Sequence, residues 1–204
     1  MAASPTSPPT HLLYLHGFRS SPGSFKARML GGALEARRAA GLPTPLWACP
    51  QLPPSPAQAW ADIAALTADW PRDTMAVVGS SLGGFYAAVT AERLGCRAAF
   101  VNPAVAPDRD LARYIGEQTA FHNPADRFFF RPEFIGELEA LSPWPLTHPE
   151  RHWALVAQGD EVLDWQEMVA HLQGTALTVL PGSDHAVSDF ADHLPALMHW
   201  LGLA

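Results

Sequence analysis

The sequence has few cysteines, one lysine, few charged residues and no long apolar run. Cys49 and Cys96 are its two cysteines among 204 residues, whereas a secreted disulfide-stabilised domain usually has more, so we expect two reduced thiols. Lys26 is the one lysine among 13 Lys and Arg residues, which we attribute to coding bias rather than to function. No apolar run approaches the ~20 residues of a transmembrane helix, so no membrane span is predicted.

Signals for nucleic acid, cofactors and metals are also missing. The net charge is −7, whereas nucleic-acid-binding domains usually present a basic surface. There is no G-x-x-x-x-G-K-[ST] phosphate loop, and Gly31–Gly32 is not a dinucleotide fingerprint. The acidic and histidine residues between Asp184 and His193 lack the spacing of H-E-x-x-H sites. The sequence therefore predicts no nucleic-acid partner, no cofactor and no metal centre.

Residues 1–10 (MAASPTSPPT) differ in composition from the rest of the chain. They have neither the basic start nor the apolar stretch of a signal peptide, so we expect a cytoplasmic location. Their content of proline, serine and threonine predicts a disordered tail. We expect residues 11–204 to form a single domain.

Short apolar runs alternate with longer helical patterns in residues 11–204. The predicted strands are His11–His16, Pro45–Cys49, Met75–Val78, Ala98–Val101, His152–Ala157 and Thr175–Leu180. The predicted helices are Ser24–Ala40, residues 57–70, Ser81–Leu94, Trp165–Leu172 and Asp189–Leu201. This alternation indicates an α/β fold with a mostly parallel sheet of about six strands. Polar residues follow five of the strands, and ligands of open α/β sheets bind at the carboxyl ends of strands.

Residues 103–150 break this alternation. They are rich in aromatic residues and arginine, with the run FFFRPEF at residues 128–134. We interpret about residues 107–148 of this segment as an insert that forms a short helical cap.

The segment Gly79–Gly83 (GSSLG) matches the G-x-S-x-G pattern of a nucleophile elbow. A predicted strand precedes it and a predicted helix follows it, which is the arrangement that an elbow requires. Glycines two residues on either side of Ser81 leave room for a tight strand-to-helix turn. Position 78 is Val rather than Gly, so the spacing selects Ser81 over Ser80 as a candidate nucleophile.

A serine nucleophile needs a general base and an acid that orients the base. His185 follows the last predicted strand, and the order Ser, acid, His is that of the α/β-hydrolases. The other histidines fit this role less well. Asp160 comes directly after the fifth strand and is the favoured acid. Asp164, which could instead cap a helix, and Glu161 are the alternatives.

An oxyanion hole is expected from the backbone N–H groups of Leu82 and Phe18. Leu82 follows the candidate nucleophile, and Phe18 lies in the loop after the first strand. Four further residues near strand ends are candidates for substrate binding. They are His16, Gly17, Arg19 and Asn102.

Taken together, these segments resemble the small bacterial YqiA-like esterases of the α/β-hydrolase superfamily. The matching segments run from about Leu12 to His185 and include LLYLHGFRSSPGSFKARML, PQLPPSP, VVGSSLGGFYA, FVNPAV, QGDEVLDW and GSDHA. The resemblance implies a three-layer α/β-hydrolase fold without the two leading strands of larger hydrolases. It also implies a triad of Ser81, Asp160 and His185 and esterase activity on short acyl esters or thioesters.

The sequence therefore favours a serine esterase that acts on a small-molecule ester or thioester. We expect a monomer or a weak homodimer. Phe128, Phe129, Phe130 and Trp144 of the insert could contact an acyl chain or could pack as the core of the insert. Two alternatives stay open: a non-catalytic binding protein with a hydrolase fold, and a hydrolase of C–C bonds or of acyl-carrier thioesters.

Overall fold

The structure is a computed structural model that describes residues 7–204. Its strands are β1 (His11–Leu15), β2 (Leu46–Ala48), β3 (Met75–Ser80), β4 (Arg97–Val101), β5 (Gly116–Thr119), β6 (Arg127–Phe130), β7 (Trp153–Ala157) and β8 (Ala176–Leu180). Its α-helices are α1 (Phe25–Ala39), α2 (Pro56–Leu66), α3 (Leu82–Leu94), α4 (Pro107–Leu111), α5 (Glu133–Leu141), α6 (Trp165–His171) and α7 (Phe190–Trp200).

Six of these strands form one parallel sheet in the order β2-β1-β3-β4-β7-β8. The predicted six-stranded α/β fold is therefore confirmed. The chain runs outward from β1 to β2 and then crosses back to β3 on the other side of β1. The strand order thus reverses between β1 and β3, and a crevice opens outside the carboxyl ends of strands at such a point.

Helices cover both faces of the sheet and make it the middle of three layers. Successive side chains of a strand point to opposite faces, so Leu13 and Leu15 pack with α2, α3 and α6, whereas Leu12 and Tyr14 pack with α1 and α7. The strands are apolar on both faces because both faces are buried. The two helical layers cover β1, β3 and β4 on both faces, and these strands end at the candidate site.

The end of the segment predicted as a tail contacts the domain. The backbone N–H of Thr10 donates to the Thr74 carbonyl over 2.8 Å, and the Thr10 carbonyl accepts from the N–H of Leu46. Arg97 also donates to the carbonyl of Ser7. Residues 1–6 of the predicted tail lie outside the described residues.

The insert lies between β4 and β7 and contains more than helices. It starts with α4 and a 3₁₀ turn at Ala112–Tyr114, and it continues through an antiparallel hairpin of β5 and β6 into α5. The expectation of a helical cap is correct for α4 and α5 but misses the hairpin. The run of three phenylalanines alternates in β6, with Phe130 buried and Phe129 exposed, as the two-residue period of a strand requires. In the described part of the chain, no helix has the length and apolar character to cross a bilayer.

Candidate active site

Ser81 occupies a strained turn between β3 and α3. Its φ is 57° and its ψ is −125°, a conformation that residues with side chains rarely adopt. Two glycines permit the close packing around the turn. A Cβ on Gly83 would lie 1.9 Å from the Leu15 carbonyl oxygen, and a Cβ on Gly79 would lie 2.0 Å from the Gly83 carbonyl oxygen. The glycines at both ends of GSSLG are therefore required, because a side chain at either position would collide with the backbone around this turn.

The loop after β1 lies directly beside this turn. A Cβ on Gly17 would stand 3.1 Å from the Cβ of Ser81. The next N–H in this loop belongs to Phe18, and the N–H after Ser81 belongs to Leu82. Within residues 7–204, neither of these two N–H groups donates a hydrogen bond to a protein acceptor. Both residues line the same cavity as Ser81, so this cavity is bounded by two residues whose N–H groups have no protein acceptor.

Ser81, His185 and Asp160 form a connected series of hydrogen bonds. The Nε2 atom of His185 lies 3.0 Å from the Oγ of Ser81, and its Nδ1 atom lies 2.7 Å from Oδ2 of Asp160. The Asp160 side chain is fully buried, whereas the His185 side chain is 20% exposed. A carboxylate only accepts hydrogen bonds, so Nδ1 carries the proton and Nε2 can accept from the serine hydroxyl.

The three candidate acids have different hydrogen-bond partners. Oδ1 of Asp160 accepts from the N–H groups of Val162 and Leu163, both at 2.8 Å, which fixes the carboxylate toward His185. Asp164 instead caps α6 by accepting from the N–H of Gln166. Glu161 accepts from the backbone N–H of His185 over 2.9 Å. Glu161 therefore contacts the backbone of His185 rather than its imidazole ring.

Asn102 corrects an expectation, because it does not face substrate. It is fully buried at the end of β4 with a φ of 41°. Its Nδ2 donates to the carbonyls of Asp184 and His185, and its Oδ1 accepts from the N–H of Ala157 over 2.8 Å. The side chain uses both amide hydrogens and its oxygen to join the histidine loop to β7. Asn102 therefore holds the backbone of the histidine loop against β7.

His16 is likewise engaged by the protein rather than free for substrate. It is 3% exposed; its Nε2 accepts from the N–H of Leu52 over 3.1 Å, and its Nδ1 donates to the Gly17 carbonyl. Burial lowers the pKa of His16, and the hydrogen bond to Gly17 opposes this effect. A neutral ring therefore ties the loop after β1 to the proline-rich segment after β2.

Arg19 joins the loop after β1 to the insert. Its Nε donates to the Thr119 carbonyl over 2.7 Å, and its guanidinium lies 4.4 Å from the centre of the Phe121 ring. The Phe121 N–H in turn donates to the Arg19 carbonyl. Arg19 also lines two cavities. Its position is compatible with the predicted substrate contact, but its observed partners belong to the hairpin.

Three cavities meet around Ser81 and the Phe18 loop. One, of about 130 Å³, is lined by both Ser81 and His185 and by apolar side chains of the insert. A second, of about 250 Å³, is also lined by Ser81 and His185 but extends toward the start of α1. A third, of about 310 Å³, lies behind Leu82 under the hairpin. Phe18 lines all three, so the loop after β1 is their common wall.

The aromatic residues of the insert divide between the two roles considered for them. Phe130 is buried and packs edge-on against Phe18, with ring centres 5.2 Å apart. Trp144 packs against His171, away from Ser81. Phe128 lines the 310 Å³ cavity, and Phe129 is 54% exposed. The interpretation as core therefore holds for the buried Phe130, whereas Trp144 packs on α6 outside the insert and Phe128 lines a cavity.

Sequence reasoning missed Lys26 as a residue of this site. Lys26 lines the 250 Å³ cavity together with Ser81 and His185. Its rarity in the chain was the available signal, and we attributed that rarity to coding bias. Among residues 7–204, no group of three or more His, Cys, Asp or Glu side chains is arranged to hold a metal ion.

Comparison with solved structures shows that the chain has an α/β-hydrolase fold. A structure of the metagenome-derived lipolytic enzymes LipS and LipT aligns with a TM-score of 0.72 at 17% identity, covering 97% of this chain and 95% of that one. Est1E from Butyrivibrio proteoclasticus, solved with ferulic acid, aligns at 0.69 and 14% identity, covering 96% and 88%. Mouse alpha/beta hydrolase domain-containing protein 10 aligns at 0.67 and 15%, covering 94% and 90%.

A family model adds a family assignment to this fold. The model described as "Uncharacterised protein family (UPF0227)" matches residues 11–202, which is nearly the whole described chain. The chain belongs to this family, and the resemblance inferred from the sequence motifs is confirmed at the level of the family and of the α/β-hydrolase fold.

Proposed function

We propose that this protein is a serine hydrolase that cleaves carboxylic esters or thioesters of small to medium acyl groups. The observation that carries this proposal is the continuous contact from Asp160 through His185 to Ser81, at 2.7 and 3.0 Å, with Ser81 on a strained turn. Such an arrangement activates a hydroxyl that would otherwise be a weak nucleophile. The esterase and lipolytic structural neighbours support the same class of reaction.

In the first half of the reaction, Oγ of Ser81 attacks the carbonyl carbon while Nε2 of His185 takes the hydroxyl proton. Asp160, held through Nδ1, orients the ring and stabilises the imidazolium that forms. The C–O or C–S bond of the substrate then breaks, and His185 gives its proton to the departing alcohol or thiol. The products of this half are the free leaving group and an acyl ester on Ser81.

In the second half, a water molecule replaces the leaving group. His185 takes one proton from this water, and the resulting hydroxide attacks the acyl carbon. The Ser81 ester bond breaks, His185 returns the proton to Oγ, and the carboxylic acid leaves. The atoms and protons balance with water as the one additional reactant.

The backbone N–H groups of Phe18 and Leu82 are proposed to hold the oxyanion in both halves. Both lack a protein acceptor in the described residues, and preorganised donors of this kind contribute about 3–4 kcal/mol each to the transition state. The 130 Å³ cavity, with Leu111, Tyr114 and Leu163 on its walls, offers an apolar site for a small acyl group.

The test is the hydrolysis of p-nitrophenyl esters and of matching thioesters over a series of acyl lengths. We expect turnover, a burst of p-nitrophenol from acyl-enzyme accumulation, and a decline beyond medium chains. Ser81→Ala should lower kcat by roughly 10⁴-fold or more. Ser142→Ala, which alters an exposed serine at the end of α5, is the control. Absence of turnover by the folded wild-type protein would contradict the proposal. The cytoplasmic location and the monomeric or weakly dimeric state stay predictions.

A further inference from the structure

Lys26 is the one lysine of the chain, and it lies on α1 beside the catalytic groups. Its side chain lines the 250 Å³ cavity whose walls include Ser81 and His185. A substrate whose carbonyl lies at Ser81 has two arms, the acyl group and the leaving group. One of these arms would enter this cavity and approach the Lys26 ammonium group.

The Lys26 ammonium has donors to spare. Nζ donates to the carbonyl of Ala186, whereas an ammonium group carries three hydrogens. Within residues 7–204, no carboxylate lies within 4.0 Å of it. Partly buried charges are normally paired, so this half-buried cation lacks the partner that its surroundings would favour.

The two carboxylates that influence Lys26 electrostatically are occupied elsewhere. They are Asp184 and Asp160. Asp184 accepts from both the N–H and the hydroxyl of Ser188. The oxygens of Asp160 accept from His185 and from the backbone of the following turn.

The cavity on the other side of Phe121 differs in its charges. Phe121 lines both the 250 Å³ and the 130 Å³ cavities. The smaller cavity is lined by two arginines and a carboxylate: Arg19 donates to Thr119, Arg113 stacks on Tyr114, and Asp110 pairs with Arg109. Among the described residues that line the 250 Å³ cavity, Lys26 is the one Lys or Arg and there is no Asp or Glu. The two spaces that meet at Ser81 therefore differ, because the larger one presents a cation with no carboxylate on its walls.

We propose that Lys26 selects esters or thioesters that carry an anionic group, a carboxylate or a phosphate, on the arm that enters the 250 Å³ cavity. This proposal rests on the proposed function, since it concerns which substrate that same site accepts. Lys26 would act as a specificity-determining residue through charge-assisted hydrogen bonds, which are shorter and stronger than neutral ones.

The experiment compares kcat/KM for pairs of esters that differ in one charge. The mono-p-nitrophenyl ester of glutaric acid against its methyl-capped diester places the charge on the acyl arm. Acetoxybenzoate against its methyl ester places the charge on the leaving group, and acetoxyphenyl phosphate distinguishes phosphate from carboxylate. We expect the wild-type protein to prefer the anionic member of at least one pair by roughly 10- to 100-fold, mainly through KM.

Three variants assign this preference to Lys26. Lys26→Met, which keeps the length but not the charge, should remove most of the preference. Lys26→Arg should retain it. Arg28→Met removes the same charge from an exposed position on α1 that lines no cavity described above, and it should retain the wild-type preference. The preference should also weaken at high salt because the site is open to solvent.

The pH dependence of the preference supplies an independent readout. Burial lowers the pKa of Lys26 to about 8, against the opposing effect of Asp184 and Asp160. Tyr14 and His185 are the other titratable side chains that line this cavity. The ammonium is present below this pKa and lost above it, so the preference should fall as pH rises through about 8. The ratio of two substrates cancels the common titration of the catalytic groups.

Two results would overturn the proposal while leaving the proposed function intact. One is equal use of charged and neutral esters by the wild-type protein. The other is an equal loss on both esters in Lys26→Met, which would mean that Lys26 only holds the Ala186 carbonyl. Absence of turnover with every ester would instead contradict the proposed function, and the charge preference would fall with it.

Discussion

The two ends of the central sheet differ in which residues occupy backbone positions with positive φ. In the described chain, the residues with side chains at positive φ follow the carboxyl ends of strands, and they are Arg19, Ser81, Asn102, Ser183 and Val187. The loops before β2, β4 and β8 use glycine at such positions: Gly41, Gly95 and Gly174. A side chain at positive φ costs free energy. The protein bears this free-energy cost at the carboxyl end, where Ser81 and Asn102 need their side chains, and avoids it with glycine at the amino end.

The largest expected effect separates two neighbouring aspartates at the carboxyl end. Asp160→Asn should lower kcat by roughly 10⁴-fold, since the amide would favour the wrong histidine tautomer. Asp164→Asn should leave kcat near the wild-type value, because Asp164 caps α6 and Asn is also a good N-cap residue. Steady-state kinetics of the two variants measures the difference. Equal losses in both would contradict the assignment of Asp160 as the orienting acid.

The next effect tests the strained Asn102. Asn102→Ala leaves the carbonyls of Asp184 and His185 and the N–H of Ala157 without partners. We expect a loss of about 3 kcal/mol of stability and a fall in kcat of roughly 100-fold from a displaced His185. KM should change little, since Asn102 lines none of the cavities around Ser81.

The matched control for Asn102 is Asn123 in the hairpin loop, where the side chain accepts from a neighbouring N–H. Asn123→Ala should leave kcat unchanged. A rise in KM with unchanged kcat in Asn102→Ala would return Asn102 to the role of substrate contact.

At the amino end, the buried His152 should make stability depend on pH. Burial lowers its pKa to about 4, and its Nδ1 accepts from the N–H of Ala98. Below about pH 6.5 the unfolded chain binds a proton that the folded chain excludes, so stability falls as pH decreases toward 4. The loss between pH 7 and pH 4 is roughly 3 kcal/mol. Urea unfolding at both pH values measures it.

His152→Asn keeps an acceptor for Ala98 and removes the titration. Its unfolding free energy should therefore fall less between pH 7 and pH 4 than that of the wild type. His148→Asn alters an exposed histidine of the same loop and should retain the wild-type dependence. An identical pH dependence in His152→Asn and wild type would show that His152 is not the source.

The smallest effect tests a glycine of the amino end. Gly95 has a φ of +70°, and a Cβ there would contact nothing within 4 Å. Gly95→Ala should cost about 1–2 kcal/mol of stability through backbone strain alone. Turnover per folded molecule should stay unchanged, because this loop is remote from Ser81. A loss of turnover without unfolding would contradict the separation between the two ends.

The sheet and the three central residues of the site could be predicted from sequence because each depends on local patterns. Apolar runs between helical segments marked all six parallel strands to within a few residues. Ser81, Asp160 and His185 each follow one of these strands, and parallel topology brings carboxyl ends together. Position along the chain was therefore sufficient to predict that they would lie close together.

The remaining features depend on contacts between segments that are distant in sequence. A polar residue after β4 indicated the site, but only packing shows that Asn102 points inward to the histidine loop. The run Phe128–Phe130 fits a strand or a buried helix equally well, so the hairpin was missed. Lys26 is on a helix after β1, and no local pattern says that its side chain reaches the cavity beside Ser81.

Labelling with a fluorophosphonate probe, followed by peptide mapping of the adduct, tests the central claim most directly. It reports an activated serine without any assumption about substrate. We expect one adduct, on Ser81, absent in Ser81→Ala and strongly slowed in His185→Ala. No adduct on the folded protein, or an adduct on another serine such as Ser80, would contradict the assignment of Ser81 as the nucleophile.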